Sequence, residues 1–158
     1  MGRYQAVIEA PFPRPSCLLG IQIDDESLVG IDYIFSGSEP LAPDTSLAKE
    51  VVAQLGNYFE NAGYRFDLPV ELRGTPFQRR VWQALVSIPA GERCTYGAVA
   101  ELLTSSPRAV GNACRSNPLP VIVPCHRVVS ASGLGGYAGH TSGRNLSVKR
   151  WLLAHETD

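Results

Sequence analysis

The residues with the greatest chemical potential stand together in Pro124-Cys125-His126-Arg127-Val128. A cysteine becomes a nucleophile as the thiolate, and its ordinary pKa of about 8.5 means that a base or a positive charge must stand close by. His126 follows Cys125 directly, so a Cys–His nucleophile is the leading reading of these residue types. Val121, Ile122 and Val123 precede them between Pro120 and Pro124, which predicts a buried, extended piece; a buried cysteine is often only a small hydrophobe. The Gly/Ser-rich stretch 130–143 that follows is of the kind that closes over a ligand. A cysteine hydrolase or protease fits these residues equally well.

A second group lies just upstream, in Pro107-Arg108-Ala109-Val110-Gly111-Asn112-Ala113-Cys114-Arg115. The pattern predicts a short helix whose exposed side is small, made of Ala109, Asn112 and Ala113 with Gly111 near, and with arginines at both ends. Such a helix can approach a surface closely while its arginines contact phosphates or enter a groove. Tight helix–helix packing uses small residues in the same way.

Other elements must position these groups. In the first half, 4–10, 17–23 and 29–35 are apolar runs of strand length, the last two able to pair across 24–28. Asp44, Thr45 and Ser46 are N-cap candidates for a helix in which Leu47, Val51, Leu55 and Phe59 recur at helical spacing, ended by Gly63. The stretch 68–74 reads as a linker. In the second half, Thr75-Pro76-Phe77-Gln78 combines an N-cap, proline at the first helical position and a capping-box glutamine. Phe77, Val81, Leu85 and Ile88 form the predicted buried stripe, stopped at Pro89-Ala90-Gly91. Thr95 can cap a helix over 96–103, and a polar turn at 104–107 leads to the helix 108–115; two short helices joined this tightly resemble a helix-turn-helix. In the last helix, Val148, Trp151, Leu152 and His155 share a face.

The chain has 158 residues, 44% hydrophobic and 18% charged, the profile of an ordinary globular protein. A chain of this length buries roughly 70% of its unfolded surface and needs no disulfide or metal to fold. No apolar run approaches the roughly 20 residues that span a bilayer, and no basic start is followed by an apolar stretch as in a signal peptide. Cys17, Cys94, Cys114 and Cys125 form no CxxC pair, which argues against a zinc cluster or a disulfide framework and for a reducing cytosol. The net charge of −1 conceals two unlike halves. Residues 1–72 carry four basic and eleven acidic side chains, net −7; residues 73–158 carry ten and four, net +6. A nucleic-acid partner for the second half, or two halves that attract each other, accounts for this. Twelve of the fourteen basic residues are arginine, which suits planar recognition of phosphate or base edges.

Six segments, in this order, carry a resemblance: Gly74-Thr75-Pro76-Phe77-Gln78-Arg79-Arg80-Val81-Trp82, Thr95-Tyr96-Gly97, Arg108-Ala109-Val110-Gly111, Asn117-Pro118, Pro124-Cys125-His126-Arg127-Val128 and Trp151-Leu152-Leu153-Ala154-His155-Glu156. Together they resemble the O6-alkylguanine-DNA alkyltransferase family, also called methylated-DNA–protein-cysteine methyltransferases. The resemblance implies an α+β protein with a small strand–helix support domain over 1–70, ribonuclease-H-like, and a mostly helical DNA-binding and alkyl-transfer domain over 74–158 with a winged helix-turn-helix-like motif. It implies direct reversal of damage in double-stranded DNA. The alkyl group on guanine O6, and by extension thymine O4, moves irreversibly to Cys125, one turnover per molecule.

In that scheme His126 is the base, acting through a water, and Glu156 orients it. Tyr96 protonates the leaving guanine and crowds the neighbouring phosphate. Asn117 is a hinge between the recognition helix and the segment carrying Cys125. Arg108 is the finger that fills the space left by the flipped base, Ala109 and Ala113 face the minor groove, and Arg115 contacts phosphate. Val128, the carbonyls of Cys125 and Val128, and Tyr137 and Ala138 in their loop form the guanine pocket. No cofactor, metal or membrane is implied, and a cytoplasmic monomer is expected. A non-catalytic alkylguanine sensor and a DNA-binding regulator are the rival readings. Two departures stand out: the turn 104–107 is about two residues shorter than the resemblance leads one to expect, and 140–145 holds an insertion of roughly five, with His140 and Arg144 in it.

Overall fold

The computed structural model describes residues 3–12, 16–135 and 143–157. The chain folds as two compact units, Met1–Leu72 and Arg73–Asp158. The fold is α+β, a small sheet with several helices.

In the first unit, strands β1 (Ala6–Glu9), β2 (Leu18–Asp24) and β3 (Ser27–Ile34) form an antiparallel sheet in the order β1-β2-β3. β1 is shorter than the apolar run 4–10 suggests. The hairpin closes more tightly than expected: Asp24 pairs with Ser27, and Asp25 turns the corner at φ 57°. Aspartate tolerates this left-handed backbone because its short side chain bonds locally. Helix α1 (Ser46–Glu60) starts at Thr45, whose hydroxyl accepts from the Ala48 amide, and buries Ala48, Val51, Leu55 and Tyr58. Its buried stripe therefore runs one residue off the predicted ends, and Phe59 is half-buried. The helix stops at Asn61, whose side chain accepts from the Gly63 amide at 3.1 Å. The expected linker is partly structured: the Leu28 amide donates to the Pro69 carbonyl (2.8 Å) and the Glu71 amide to Leu28 (3.0 Å), so 69–71 pairs with β3.

In the second unit, helix α2 (Pro76–Val86) opens on the full capping box: Thr75 Oγ1 accepts from the Gln78 amide and Gln78 Oε1 from the Thr75 amide. It buries Val81, Trp82 and Leu85, while Phe77 is only half-buried. Trp82, absent from the predicted stripe, is 1% exposed and donates its indole N–H to the Ala113 carbonyl at 2.8 Å. Strand β4 (Cys94–Thr95) pairs in parallel with β5 (Val128–Val129), a two-residue ladder too short to leave a periodic signal in the sequence. Helix α3 (Tyr96–Leu102) is capped by Thr95, and helix α4 (Pro107–Arg115) by Ser106 with Pro107 as its first residue. The apolar segment 120–124 is not extended but turns, with Val121 at φ 73°. It leads into a 3-10 turn, Cys125–Arg127. Helix α5 (Arg144–Thr157) buries Leu146, Val148, Lys149, Leu152 and Leu153. Of its predicted face, Trp151 and His155 are half-buried and stack on each other with ring centroids 4.8 Å apart.

The short turn between α3 and α4 has a definite build. The Ser105 amide donates to Ala100 (2.8 Å) and the Thr104 amide to Glu101 (3.3 Å), the two reverse bonds of a Schellman ending. The left-handed residue that this ending requires is Thr104, at φ 54°. Glycine usually occupies that place, and a side-chain-bearing residue costs about 1–2 kcal/mol there. Thr104 is exposed, so little packing is lost with its side chain. Thr104→Gly is therefore expected to stabilise the protein by about 1 kcal/mol in denaturant titration; an unchanged or lowered midpoint contradicts the assignment of strain to Thr104.

Candidate active site

The site begins with Asn117, just beyond α4. Its Oδ1 accepts from the Leu119 amide (2.9 Å), and its Nδ2 donates to the Val123 carbonyl (2.9 Å) and to Cys125 Sγ (3.1 Å). One side chain thus folds 117–125 into a closed turn. Val121, buried at its apex, is a β-branched residue in left-handed backbone, a conformation that persists only when its surroundings over-determine it. The side-chain amide offers the partners that an extended strand would have found elsewhere, which is why β-strand propensity loses here.

The 3-10 turn places Cys125, His126 and Arg127 in the interior. His126 is fully buried, with Nε2 2.8 Å from Glu156 Oε2. Glu156, on the last turn of α5, also accepts from Arg127: Nε to Oε1 at 2.9 Å and Nη2 to Oε2 at 2.7 Å. Arg127 Nη1 donates to the Ile88 carbonyl at 2.5 Å. A carboxylate against Nε2 makes that nitrogen the N–H and leaves Nδ1 with its lone pair. Nδ1 is buried and bonds to no described protein group. Burial holds the His126 pKa below its ordinary 6.5; Glu156 pulls upward, and the Arg127 and Lys149 cations add to the lowering. The ring is neutral at pH 7, with a basic atom available.

Around Cys125 stand three further ionisable groups. Burial, with the Cys114 and Cys125 thiols nearby, pushes Tyr96 up to about 12, so it remains a hydrogen-bond donor at neutral pH. Burial and the Cys125 thiol push Cys114 up to about 12, so it remains a thiol. Lys149 donates to the Val128 carbonyl at 2.8 Å, lies 6.0 Å from the Tyr96 ring centroid, and is drawn down to about 8 by burial. Gly111 and Gly135 close on the Tyr96 ring: a Cβ on Gly135 would stand 3.1 Å from Tyr96 Cε2, and one on Gly111 4.0 Å from Cε1. Gly135, at φ 77°, needs glycine for its backbone as well.

The structure thus brings Cys125, His126, Glu156 and Asn117 together, with Tyr96 beside them. On α4, Arg108, Asn112 and Arg115 form one exposed stripe at i, i+4, i+7. Ala109 is half-buried. Ala113 corrects the expectation: it is 2% exposed, on the buried stripe with Val110 and Cys114, and cannot offer its methyl to a DNA groove. Val128 is fully buried, and its carbonyl already accepts Lys149, while that of Cys125 accepts the Val128 amide. Tyr137, Ala138 and His140 lie outside the described residues. Two residues of the site, Arg127 and Lys149, carry no role in the sequence reading. Arg127 stands within the matched motif without one; Lys149, beside Val148 in an otherwise apolar stripe, carries the one usable signal, a charge on a face that must be buried. Among the described residues, no group of three or more His, Cys, Asp or Glu is placed to hold a metal ion, and no helix is long and apolar enough to cross a membrane.

Comparison with known proteins adds an independent line. A family model described as 6-O-methylguanine DNA methyltransferase, DNA binding domain, matches residues 76–158. A methylated-DNA–protein-cysteine methyltransferase of Methanosarcina acetivorans is 37% identical over 161 residues, covering 97% of this chain and 97% of the relative. One of Mycolicibacterium paratuberculosis is 49% identical over 108 residues, covering 66% of this chain and 62%, less than two thirds, of the relative. The crystal structure of Mycobacterium tuberculosis OGT in complex with DNA superposes with a TM-score of 0.77 at 38% identity, covering 96% of this chain and 91% of that one. A family model that matches more than half of the chain, and a relative aligned over nearly its full length, place this chain in the 6-O-methylguanine DNA methyltransferase family.

Proposed function

We propose that the chain repairs DNA by moving an alkyl group from guanine O6 in a duplex to Cys125. The observation that carries this reading is the set Cys125, Asn117, His126 and Glu156, in which a buried, neutral imidazole keeps one basic nitrogen without a bond to any described group and the cysteine next to it in the chain accepts from Asn117. His126 Nδ1 takes the Cys125 proton through a water, and Glu156 steadies the imidazolium that forms. The Asn117 amide, donating to Sγ, stabilises the developing thiolate. Sulfur attacks the alkyl carbon, the S–C bond forms as the C–O6 bond breaks, and the electron pair leaves on guanine. Tyr96 gives that guanine its proton, and Lys149, near the ring, supplies positive charge to the same corner. A thioether offers no good leaving group, so each molecule acts once. Thymine O4, with the same alkyl–oxygen bond, is a second substrate.

A target atom inside the stack must be rotated out before it is reached. Arg108, second residue of α4, is the group that fills the space, and Arg115 one turn beyond Asn112 contacts phosphate. In this reading the +6 unit 73–158 is the DNA-binding and alkyl-transfer domain, with α3 and α4 as the helix-turn-helix of a winged motif. The acidic part of the chain, over 1–70, is a ribonuclease-H-like support. The protein works as a cytoplasmic monomer, without a cofactor.

Three outcomes test the proposal. Incubation with duplex DNA holding O6-methylguanine is expected to raise the intact mass by one methyl-for-hydrogen exchange, mapped to Cys125, and Cys125→Ala is expected to bind DNA without any gain. Tight binding with no gain in the wild type supports the sensor reading instead. Arg108→Ala is expected to slow transfer from duplex DNA by about tenfold or more, roughly 1.4 kcal/mol, with little effect on free O6-methylguanine; equal losses remove Arg108 from base rotation. Because the His126 pKa lies below 6.5, protonation removes the base only in acid: the rate is expected to be flat through pH 7 and to fall below about 6.5. A fall centred at or above pH 7 contradicts a neutral His126.

A further inference from the structure

The exit of α2 reaches the last turn of α5 by two separate contacts, and both end on Glu156. The first runs through Arg127. Its guanidinium grips both oxygens of Glu156 while its third nitrogen holds the Ile88 carbonyl, two residues beyond the end of α2. The second is a backbone contact. Gly91, at φ 88° in the turn after α2, comes so near Glu156 that a Cβ there would stand 3.3 Å from the Glu156 carbonyl oxygen. One contact holds the carboxylate of Glu156, and the other leaves little room for a side chain beside its main chain.

We propose that Arg127 is a positioning residue for the reaction at Cys125, and that with Gly91 it sets the place of Glu156 and therefore the tautomer and aim of His126. The proposal rests on the reading of His126 as the base. Glu156 Oε2 is shared between the His126 Nε2–H and Arg127 Nη2. The guanidinium keeps the carboxylate ionised, so it accepts from Nε2 and never donates to it. It also offsets part of the negative charge that would otherwise favour a protonated imidazole. A planar, five-donor fork is needed for this, since three of its donors are directed at three fixed acceptors. The charged groups facing His126 are Glu156 on α5, Arg127 in the same turn and Lys149 on α5.

Two arginine variants separate position from charge. Arg127→Lys keeps the charge and loses the fork; methyl transfer is expected to slow by about 10²-fold with the acid limb of its pH profile unmoved. Arg127→Met loses both, and its acid limb is expected to move to higher pH, because removing a cation beside His126 raises the imidazole pKa. Gly91→Ala is expected to slow transfer more than Gly37→Ala does; Gly37, at φ 81°, carries the same backbone strain with nothing within 4 Å of its Cβ. Rates are taken per folded molecule, with the His126 ring titrated by NMR in parallel, a readout that needs no DNA. Lowered melting temperatures with unchanged rates, unchanged acid limb and unchanged His126 titration would overturn the proposal. A His126 titration shifted upward in Arg127→Met, in a wild type that gains no methyl from DNA, upholds the positioning role and overturns the repair reading alone.

Discussion

The carboxylate of Glu156 is the point on which the second unit depends. It is buried, with its side chain 1% exposed, and a buried charge is tolerable only when it is paired and fully bonded. Here the bonds come from two consecutive residues of the turn that carries Cys125, His126 and Arg127. Removing any one partner leaves a charge or a donor stranded in the interior, so the three residues stand or fall together. The same bonds that satisfy Glu156 also leave His126 with its lone pair on Nδ1, the arrangement a base requires. Stability and reactivity are here two consequences of one set of hydrogen bonds.

Around that point the chain accepts strain where the chemistry needs a particular backbone path. Val121 and Thr104 both occupy left-handed backbone without being glycine. Val121 is held by the Asn117 side chain and delivers Cys125 to the amide that bonds its sulfur. Thr104 allows α3 to end and α4 to begin within a few residues, which places Arg108 in the first turn of α4. In each case a polar side chain or a pair of reverse hydrogen bonds supplies what the disfavoured conformation costs.

Much of this is legible in the amino-acid sequence. The capping box at Thr75 and Gln78, the N-caps Thr45 and Thr95, and the strand runs of the first half stand in the structure because each is a local device whose partners lie close by in the chain. The Cys125–His126 pair is legible from residue types alone, whereas Asn117 and Glu156 are reached through motif resemblance, not periodicity. What escapes are features set by distant partners. The segment 120–124 has β-branched composition, but Asn117 bends it. The ladder Cys94–Thr95 with Val128–Val129 joins residues over thirty positions apart in two-residue strands. Ala113 reads as a surface residue because alanine has no preference, and Trp82 and its carbonyl bond decide otherwise. Lys149 and Arg127 receive no role from the sequence, because the general rule that long cations are solvated fails where a buried carbonyl and a carboxylate wait for them.

Burial keeps His126 neutral, and Glu156, shared by His126 and Arg127, holds its proton on Nε2 and leaves its lone pair on Nδ1. Long-range ¹⁵N–¹H correlation of the His126 ring, recorded on the unreacted protein at neutral pH, reads this state directly. A protonated Nε2 and an unprotonated, pyridine-like Nδ1 are expected. A neutral ring with its proton on Nδ1 would contradict the role given to Glu156, and an imidazolium with both nitrogens protonated would contradict a neutral base.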